Sequence, residues 1–216
     1  GDDAEGHQLL RYFSDRRIDI SGIGVEKSYR TPSKMRILAG AVHSQRQQIV
    51  RLDSGSALDG QHKRTPIEQK LKAALKDADA FLVSDYGYGL VTPQIISRIG
   101  RGTLATTIDS RFSLMNFFHL TAATPNEPEV ETALGISIGD DAKKLEWAGR
   151  TLLRRLQHEA ILVTRGKDGM ALFQRGKKTV HIPIHGSDEV TDVTGAGDTV
   201  IATFTLALAC GASYYD

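Results

Sequence analysis

The chain has 216 residues, of which 40% are hydrophobic and 25% charged, with a formal net charge of +1. These values are those of one soluble globular domain, or one and a half, and the near-zero charge gives no reason to expect nucleic acid or an anionic membrane as partner. A single cysteine, Cys210, excludes an intrachain disulfide and fits a reducing cytoplasm; no apolar run approaches the roughly 18 residues of a membrane span, and no signal peptide is visible.

In chain order, residues 4–17 read as an amphipathic helix through Leu9, Leu10 and Phe13. Ile23–Tyr29, Lys34–Ala39 and Gln48–Leu52 read as short strands, and Asp53 to Thr65 as a polar loop. Ile67, Leu71, Ala74 and Leu75 recur at helical spacing, and Ala80 to Val83 suits a buried parallel strand. Thr92 caps a helix that begins with Pro93. Leu104–Ile108 and Phe117–Ala122 are expected as strands, and Asn126–Leu134 as a short helix stopped by Gly135. The clearest helix runs from Asp140 to Gln157, with Ala142, Leu145, Ala148, Leu152 and Leu156 on one face, widened by Trp147 and Leu153. Ala160–Thr164, Met170–Gln174 and Thr179–Ile184 are strands, and a last apolar helix starts near Gly195 and places Cys210 in the core.

Strands alternating with helices predict an α/β fold, a mostly parallel sheet covered on both faces. Ligands of such sheets bind outside the carboxyl ends of the strands. Ser84-Asp85, Asp109, Asn126 and Thr164-Arg165-Gly166 all fall at those ends. The histidines show no ligand spacing apart from His181 and His185, which flank a strand, and a metal there is disfavoured.

The richest stretch is Asp192-Val193-Thr194-Gly195-Ala196-Gly197-Asp198. A helix N-terminus leaves backbone N–H groups unpaired and carries partial positive charge, and glycine lets a phosphate approach that backbone. Asp198, at the mouth of such a site, is placed to take a proton from a hydroxyl attacking a phosphoryl group. The plainer reading is a glycine turn before an ordinary helix. Thr164-Arg165-Gly166-Lys167-Asp168-Gly169 is either a hairpin turn or a second backbone cradle for a nucleotide. Asn126 and Glu129 are either a helix cap or an amide and carboxylate for a hydrated Mg²⁺. Asp85 suits substrate hydroxyls or a turn. Lys34, Arg36 and Arg51 sit in strand-like segments, where charge on a solvated strand face is the plain reading.

The Asp192–Asp198 run resembles the D-x-T-G-A-G-D signature of the ribokinase-like (PfkB-type) carbohydrate kinases. Thr164 to Gly169 resembles their T-x-G-x-x-G nucleotide turn, and Asn126 with Glu129 their N-x-x-E motif. Ser84 to Gly89 is similar to the S-D-Y-G-K-G run of the heptose 7-phosphate kinase branch, with Tyr88 where lysine is expected. Ile108 to Arg111 is similar to that branch's I-D-P-K, with Arg111 for lysine. Further similar segments are Gly1 to Asp3 with Gly6, Lys34 to Ala39, and Gln47 to Asp53.

The resemblance implies a ribokinase-like kinase domain over 1–216, lacking parts at both ends, with 22–53 as lid or early strands and 65–216 as the α/β core. It implies ATP and Mg²⁺ as cofactors and a sugar or sugar phosphate as substrate. It assigns Asp198 as base and Gly195, Ala196 and Gly197 as phosphoryl cradle. Thr164, Gly166, Gly169, Asp192 and Thr194 go to the nucleotide, Asn126 and Glu129 to Mg²⁺, and Asp85, Asp109, Lys34, Arg36 and Arg51 to the substrate. It allows a homodimer through the lid and a fused nucleotidyltransferase domain. Kinases of ribose, fructose or a keto-deoxy sugar acid, and a nucleotide-binding fragment without activity, are the alternatives. The start without methionine and the stop just after a helix predict an excerpt of a longer chain. Expressed alone, it is expected to be inactive and poorly soluble through exposed sheet edges.

Overall fold

A computed structural model describes residues 1–40, 47–58, 65–99, 104–185 and 194–216. The chain divides into two compact units, Gly1–Ala74 and Leu75–Asp216.

The first unit holds α1 (Ala4–Asp15), an antiparallel ribbon of β1 (Ser33–Ala39) and β2 (Gln47–Ser54), and α2 (Thr65–Ala74). Asp3 starts α1: Oδ1 accepts the Gly6 N–H at 2.8 Å and Oδ2 accepts the Thr31 N–H at 2.7 Å. Those bonds, Thr31 foremost, hold its carboxyl down at about 2. The ribbon pairs Met35 with Leu52 and Ile37 with Val50, so these four apolar side chains share one face. All four are exposed, Met35 by 60%. Lys34 lies opposite Asp53, and Arg36 opposite Arg51, on the other face. Ile23–Tyr29 is not a strand. It is turn and coil, entered through a turn in which Asp19 accepts the Ser21 N–H at 2.8 Å, and Ile23 and Val25 are exposed. Gly22 and Gly24 break the β-branched alternation that suggested a strand.

The second unit is a six-stranded sheet in the order β3 (Ala80–Asp85), β4 (Ala105–Ser110), β5 (Ala122–Ala123), β6 (Ala160–Thr164), β7 (Met170–Gln174) and β8 (Val180–Ile182). β3 to β6 run parallel, and β7 and β8 turn back antiparallel. The helices are α3 (Pro93–Ile99), α4 (Glu127–Leu134), α5 (Ala142–Leu156) and α6 (Ala196–Ala209). One sheet face, through Val83, Ile108, Ala123, Ile161, Val163 and Phe173, is buried with Val130 of α4 and Leu145, Leu152 and Leu156 of α5. The other face, through Ala122, Ala160, Leu162 and Leu172, packs against Val200 and Phe204 of α6. Burial on both faces explains why β6 reads as an unbroken apolar run.

Asp141 caps α5 by accepting the Lys143 N–H at 2.9 Å and the Lys144 N–H at 3.1 Å. Gly149 lets α5 approach β7, because a Cβ there would collide with the fully buried Phe173 ring. The buried stripe of α5 is narrower than its sequence suggests. Leu153 is buried, but Ala142 is exposed and Trp147 is 51% exposed. Cys210 is not core either: it caps the C-terminus of α6 and is exposed. Phe117–Ala122, expected as a strand, is irregular chain that follows a 3₁₀ turn at Leu114–Asn116, with His119 at φ 60° and only Ala122–Ala123 in the sheet. Phe117 and Leu120 are apolar because this connection plugs the core.

Candidate active site

Parallel strands bring their carboxyl ends to one edge, and the polar motifs gather there. Asp85 ends β3, Asp109 is the penultimate residue of β4, Asn126 follows β5, and Thr164 ends β6. Asp85 is buried: Oδ1 accepts the Gly87 N–H at 2.9 Å and Oδ2 accepts the Ser110 hydroxyl at 2.8 Å. It therefore braces the turn after β3 and ties it to β4. Asp109 lies on the other sheet face, the face of Thr107, whose hydroxyl bonds that of Thr205 on α6.

α6 begins at the same edge. Gly195 is its N-cap at φ 81°, a left-handed conformation that favours glycine, and it brings no side chain of its own to the first N–H groups of the helix. Among the described residues, nothing lies within 4 Å of the place a Cβ would take on Gly197. No packing among the described residues explains that glycine, and the first turn of α6 presents its backbone to anything approaching from outside. The arrangement fits an anion such as a phosphate group. Asp198 is exposed in this first turn. Its Oδ1 accepts the Tyr86 hydroxyl at 2.8 Å, and its Oδ2 lies 4.0 Å from the Cβ position of Gly195. Sequence reasoning did not single out Tyr86, because nothing in the sequence couples it to a residue more than a hundred positions away. Asp192 lies outside the described residues. Thr194, the first described residue after that gap, is exposed.

Burial foremost, then the charges of Asp198 and Asp85, pushes the Asp109 carboxyl up to about 6. An acid with a raised folded-state pKa keeps its proton longer in the folded protein. Its contribution to stability is therefore greatest near pH 4 and falls as the pH rises towards 6. Asp109→Asn removes that loss. The ligand-free variant is expected to be about 1–2 kcal/mol more stable than the parent at pH 7 and equal to it near pH 4, measured by urea unfolding at both pH values. Buried His158, whose Nδ1 accepts the Leu120 N–H at 3.0 Å, is pushed down to about 4 by burial and acts in the opposite sense over this range. Comparing variant with parent at each pH isolates Asp109. An equal difference at both pH values contradicts this account.

Asn126 and Glu129 form a reciprocal capping box at α4. Asn126 Oδ1 accepts the Glu129 N–H at 2.8 Å, and Glu129 Oε2 accepts the Asn126 N–H at 2.9 Å. The cap reading of this pair thus holds as geometry. Burial, opposed by the bond from the Asn126 N–H, raises the Glu129 carboxyl, and the charge of Asp109 adds to the rise. An anionic neighbourhood of this kind attracts cations. Among the described residues, no three His, Cys, Asp or Glu side chains converge on a metal position. An amide oxygen and a carboxylate are the type of oxygen donor that Mg²⁺ takes.

Thr164 to Gly169 is the turn between antiparallel β6 and β7, so the hairpin reading also holds. Gly166 (φ 55°) and Gly169 (φ 74°) both adopt positive φ, and the Arg165 N–H donates to the Gly169 carbonyl at 2.8 Å. Arg165 also pairs with Glu127 at 2.6 Å, tying this turn to the start of α4. Lys34, Arg36 and Arg51 lie on the ribbon of the first unit, where Arg51 pairs with Asp53 at 2.6 Å. A cavity of about 610 Å³ lies at the opposite, amino edge of the sheet, lined by Phe81, Leu104, Thr106, Phe117 and Leu120 among others. Its lining lacks the converging carboxylates of the carboxyl edge, so the chemistry is assigned to the latter.

The fold is ribokinase-like. Phosphofructokinase-2 from Escherichia coli in complex with fructose-6-phosphate superposes with TM-score 0.76 at 18% identity, covering 98% of this chain and 69% of that one. Arabidopsis thaliana ribokinase complexed with ribose and ATP superposes with TM-score 0.74 at 18% identity, covering 100% and 69%. The chain belongs to the pfkB family of carbohydrate kinases, whose family model matches residues 1–216. Among curated relatives, the bifunctional protein HldE of Geobacter sulfurreducens is 38% identical over 222 residues, covering 100% of this chain and 44% of that protein. HldE of Aeromonas salmonicida is 36% identical over 188 residues, covering 86% and 38%. The chain thus spans less than half the length of these relatives. No helix among the described residues is long and apolar enough to cross a membrane.

Proposed function

We propose that the intact protein is an ATP-dependent sugar kinase that transfers the γ-phosphate to a sugar hydroxyl, with D-glycero-β-D-manno-heptose 7-phosphate as the acceptor. The observation that carries this reading is Asp198 in the first turn of α6, above an open glycine N-cap, at the carboxyl edge of the sheet. In this reading Asp198 takes the proton of the acceptor hydroxyl, and the N–H groups of Gly195, Ala196 and Gly197 hold the transferring phosphoryl group as charge spreads over its oxygens. Thr164, Gly166, Gly169, Asp192 and Thr194 shape the nucleotide pocket. Asp85 and Asp109 serve the substrate side, Asp85 by bracing the turn that carries Tyr86. Asn126 and Glu129 hold Mg²⁺ through its water shell, and the ion would neutralise charge on the phosphates. Lys34, Arg36 and Arg51 are assigned to the sugar phosphate, with 22–53 acting as lid and 65–216 as core.

The heptose assignment rests on the run Ser84 to Gly89, on Ile108 to Arg111, and on the HldE relatives. The name of those relatives, bifunctional protein, and their greater length support a second domain beyond this chain, which we assign as a nucleotidyltransferase serving ADP-heptose formation. The exposed face formed by Met35, Ile37, Val50 and Leu52 supports a homodimer through the ribbon. Tyr88 and Arg111, where the branch carries lysines, favour a second reading with another sugar as acceptor, since arginine and lysine are not equivalent at a phosphate. ADP release with Mg-ATP and a panel of heptose 7-phosphate, ribose, fructose and fructose 6-phosphate separates the two. Turnover with heptose 7-phosphate alone is expected. Turnover with another sugar moves the substrate and keeps the chemistry, and no turnover with any of them overturns the heptose assignment and leaves an acceptor outside the panel or a nucleotide-binding protein.

A further inference from the structure

We infer that Tyr86 is a positioning residue for the proposed base: its hydroxyl fixes one oxygen of the Asp198 carboxylate and so leaves the other facing the glycine turn of α6. The inference rests on the kinase reading above and deepens it.

Tyr86 directly follows β3, at 36% exposure, and its hydroxyl donates to Asp198 Oδ1 at 2.8 Å. The opposite oxygen, Oδ2, lies above Gly195. A free aspartate on the first turn of a helix has several staggered rotamers open to it, and only some of them aim an oxygen at the neighbouring turn. A hydrogen bond from a rigid aromatic side chain selects among them before substrate arrives, at no further entropic cost during the reaction. The anchor is itself held. Asp85 accepts the Gly87 N–H and the Ser110 hydroxyl, and a Cβ on Gly87 (φ 76°) would stand 2.9 Å from Phe112. The turn carrying Tyr86 is therefore tied to the carboxyl ends of β3 and β4. Burial, together with the bond to Asp198 and its charge, raises the Tyr86 phenol to about 12, so the group stays a donor across the physiological range. Among the described residues, Asp109 from β4 and Arg111 just beyond it also act on Tyr86 through their charges. One oxygen held and one presented is the arrangement a general base needs. The held oxygen sets geometry, and the presented one receives the proton as the O–H bond of the acceptor breaks, its oxygen bonds to the γ-phosphorus, and the bond from that phosphorus to the bridging oxygen breaks to release ADP.

The test is a double-mutant cycle in the intact protein with Tyr86→Phe, Asp198→Asn and the pair together. Tyr86→Phe keeps the ring and removes the hydroxyl. It is expected to lower kcat by about 10- to 100-fold, the worth of a hydrogen bond to a charged group, with KM for ATP and sugar within about twofold. In the Asp198→Asn background the same substitution is expected to change kcat by less than about twofold, because the group it acts through is gone. A Tyr86→Phe enzyme with parental kcat, or one whose loss adds in full to that of Asp198→Asn, overturns the inference while the kinase reading stands on the Asp198→Asn loss. If Asp198→Asn itself leaves turnover intact, the reading of Asp198 as base falls and the role of Tyr86 falls with it. A crystal structure of the Tyr86→Phe protein gives a readout independent of turnover: the Asp198 carboxylate is expected to leave its position over Gly195, and an unmoved carboxylate contradicts the inference.

Discussion

Asp198→Asn in the intact protein is expected to lower kcat by about 10² to 10⁴ while leaving ATP affinity nearly unchanged, the usual scale for loss of a general base. Asparagine has the size of aspartate and still accepts a hydrogen bond from Tyr86 through its amide oxygen, so the first turn of α6 keeps its shape. What disappears is the capacity to take a proton. ATP affinity is expected to survive because the backbone N–H groups that would meet the phosphates belong to the turn and not to the side chain. Steady-state kinetics with a separate equilibrium titration of nucleotide checks both halves. An unchanged kcat removes Asp198 from the chemistry. An equal loss of kcat and ATP affinity makes it a binding residue.

Gly169→Ala is expected to be the most damaging small substitution in the turn between β6 and β7, and for a reason internal to the chain. Gly169 has φ 74° and ψ −130°, and a Cβ there would collide with the carbonyl oxygen of Ile182 and crowd Pro183. Backbone cannot swing aside as a long side chain can, so β8 must move or the hairpin must deform. We expect a loss of about 3 kcal/mol or more, a drop in Tm of roughly 6–12 °C for a chain of this size. Gly166→Ala is the control. Gly166 also has positive φ, but nothing lies within 4 Å of its Cβ position, and it should cost about 1 kcal/mol. Thermal unfolding of the two variants side by side decides the matter. Equal and small losses, with ATP affinity reduced in Gly169→Ala, would show that the nucleotide and not β8 demands that glycine.

The contrast between those two glycines shows what the sequence could convey. It placed both in a turn between strands, since an apolar run on either side and a three-residue spacing are local signals. It could not show which glycine touches Ile182, because that contact depends on how β7 pairs with β8. The strands at Ala80–Val83, Ala160–Thr164 and Met170–Gln174, the helices started by Thr92 and Asn126, and the long helix beginning at Asp140 or Asp141 were legible for the same reason: their apolar runs, periodicity and caps lie within a few residues of one another. Ile23–Tyr29 and Phe117–Ala122 misled because apolar side chains serve turns and core plugs as well as strands. Trp147 and Cys210 misled because an apolar position on a helix was assigned to the covered side without knowing how far the covering reaches. At the site, the motif carrying Asp198 and the strand-end acids were readable one by one. That Asp109 shares the electrostatic field of Asp198 and Asp85, and that Tyr86 bonds to Asp198, required the strand order and the placing of α6 against β3 and β4.

The central claim is that a phosphoryl group moves from ATP to a sugar hydroxyl at the glycine turn of α6. Phosphorus-31 NMR of the intact protein with Mg-ATP and the acceptor that supports ADP release tests it most directly. The account predicts a new phosphate monoester resonance growing in step with ADP, coupled to a sugar proton, and suppressed in Asp198→Asn. Release of inorganic phosphate with no ester, or an ester that forms at the parental rate in Asp198→Asn, would contradict it.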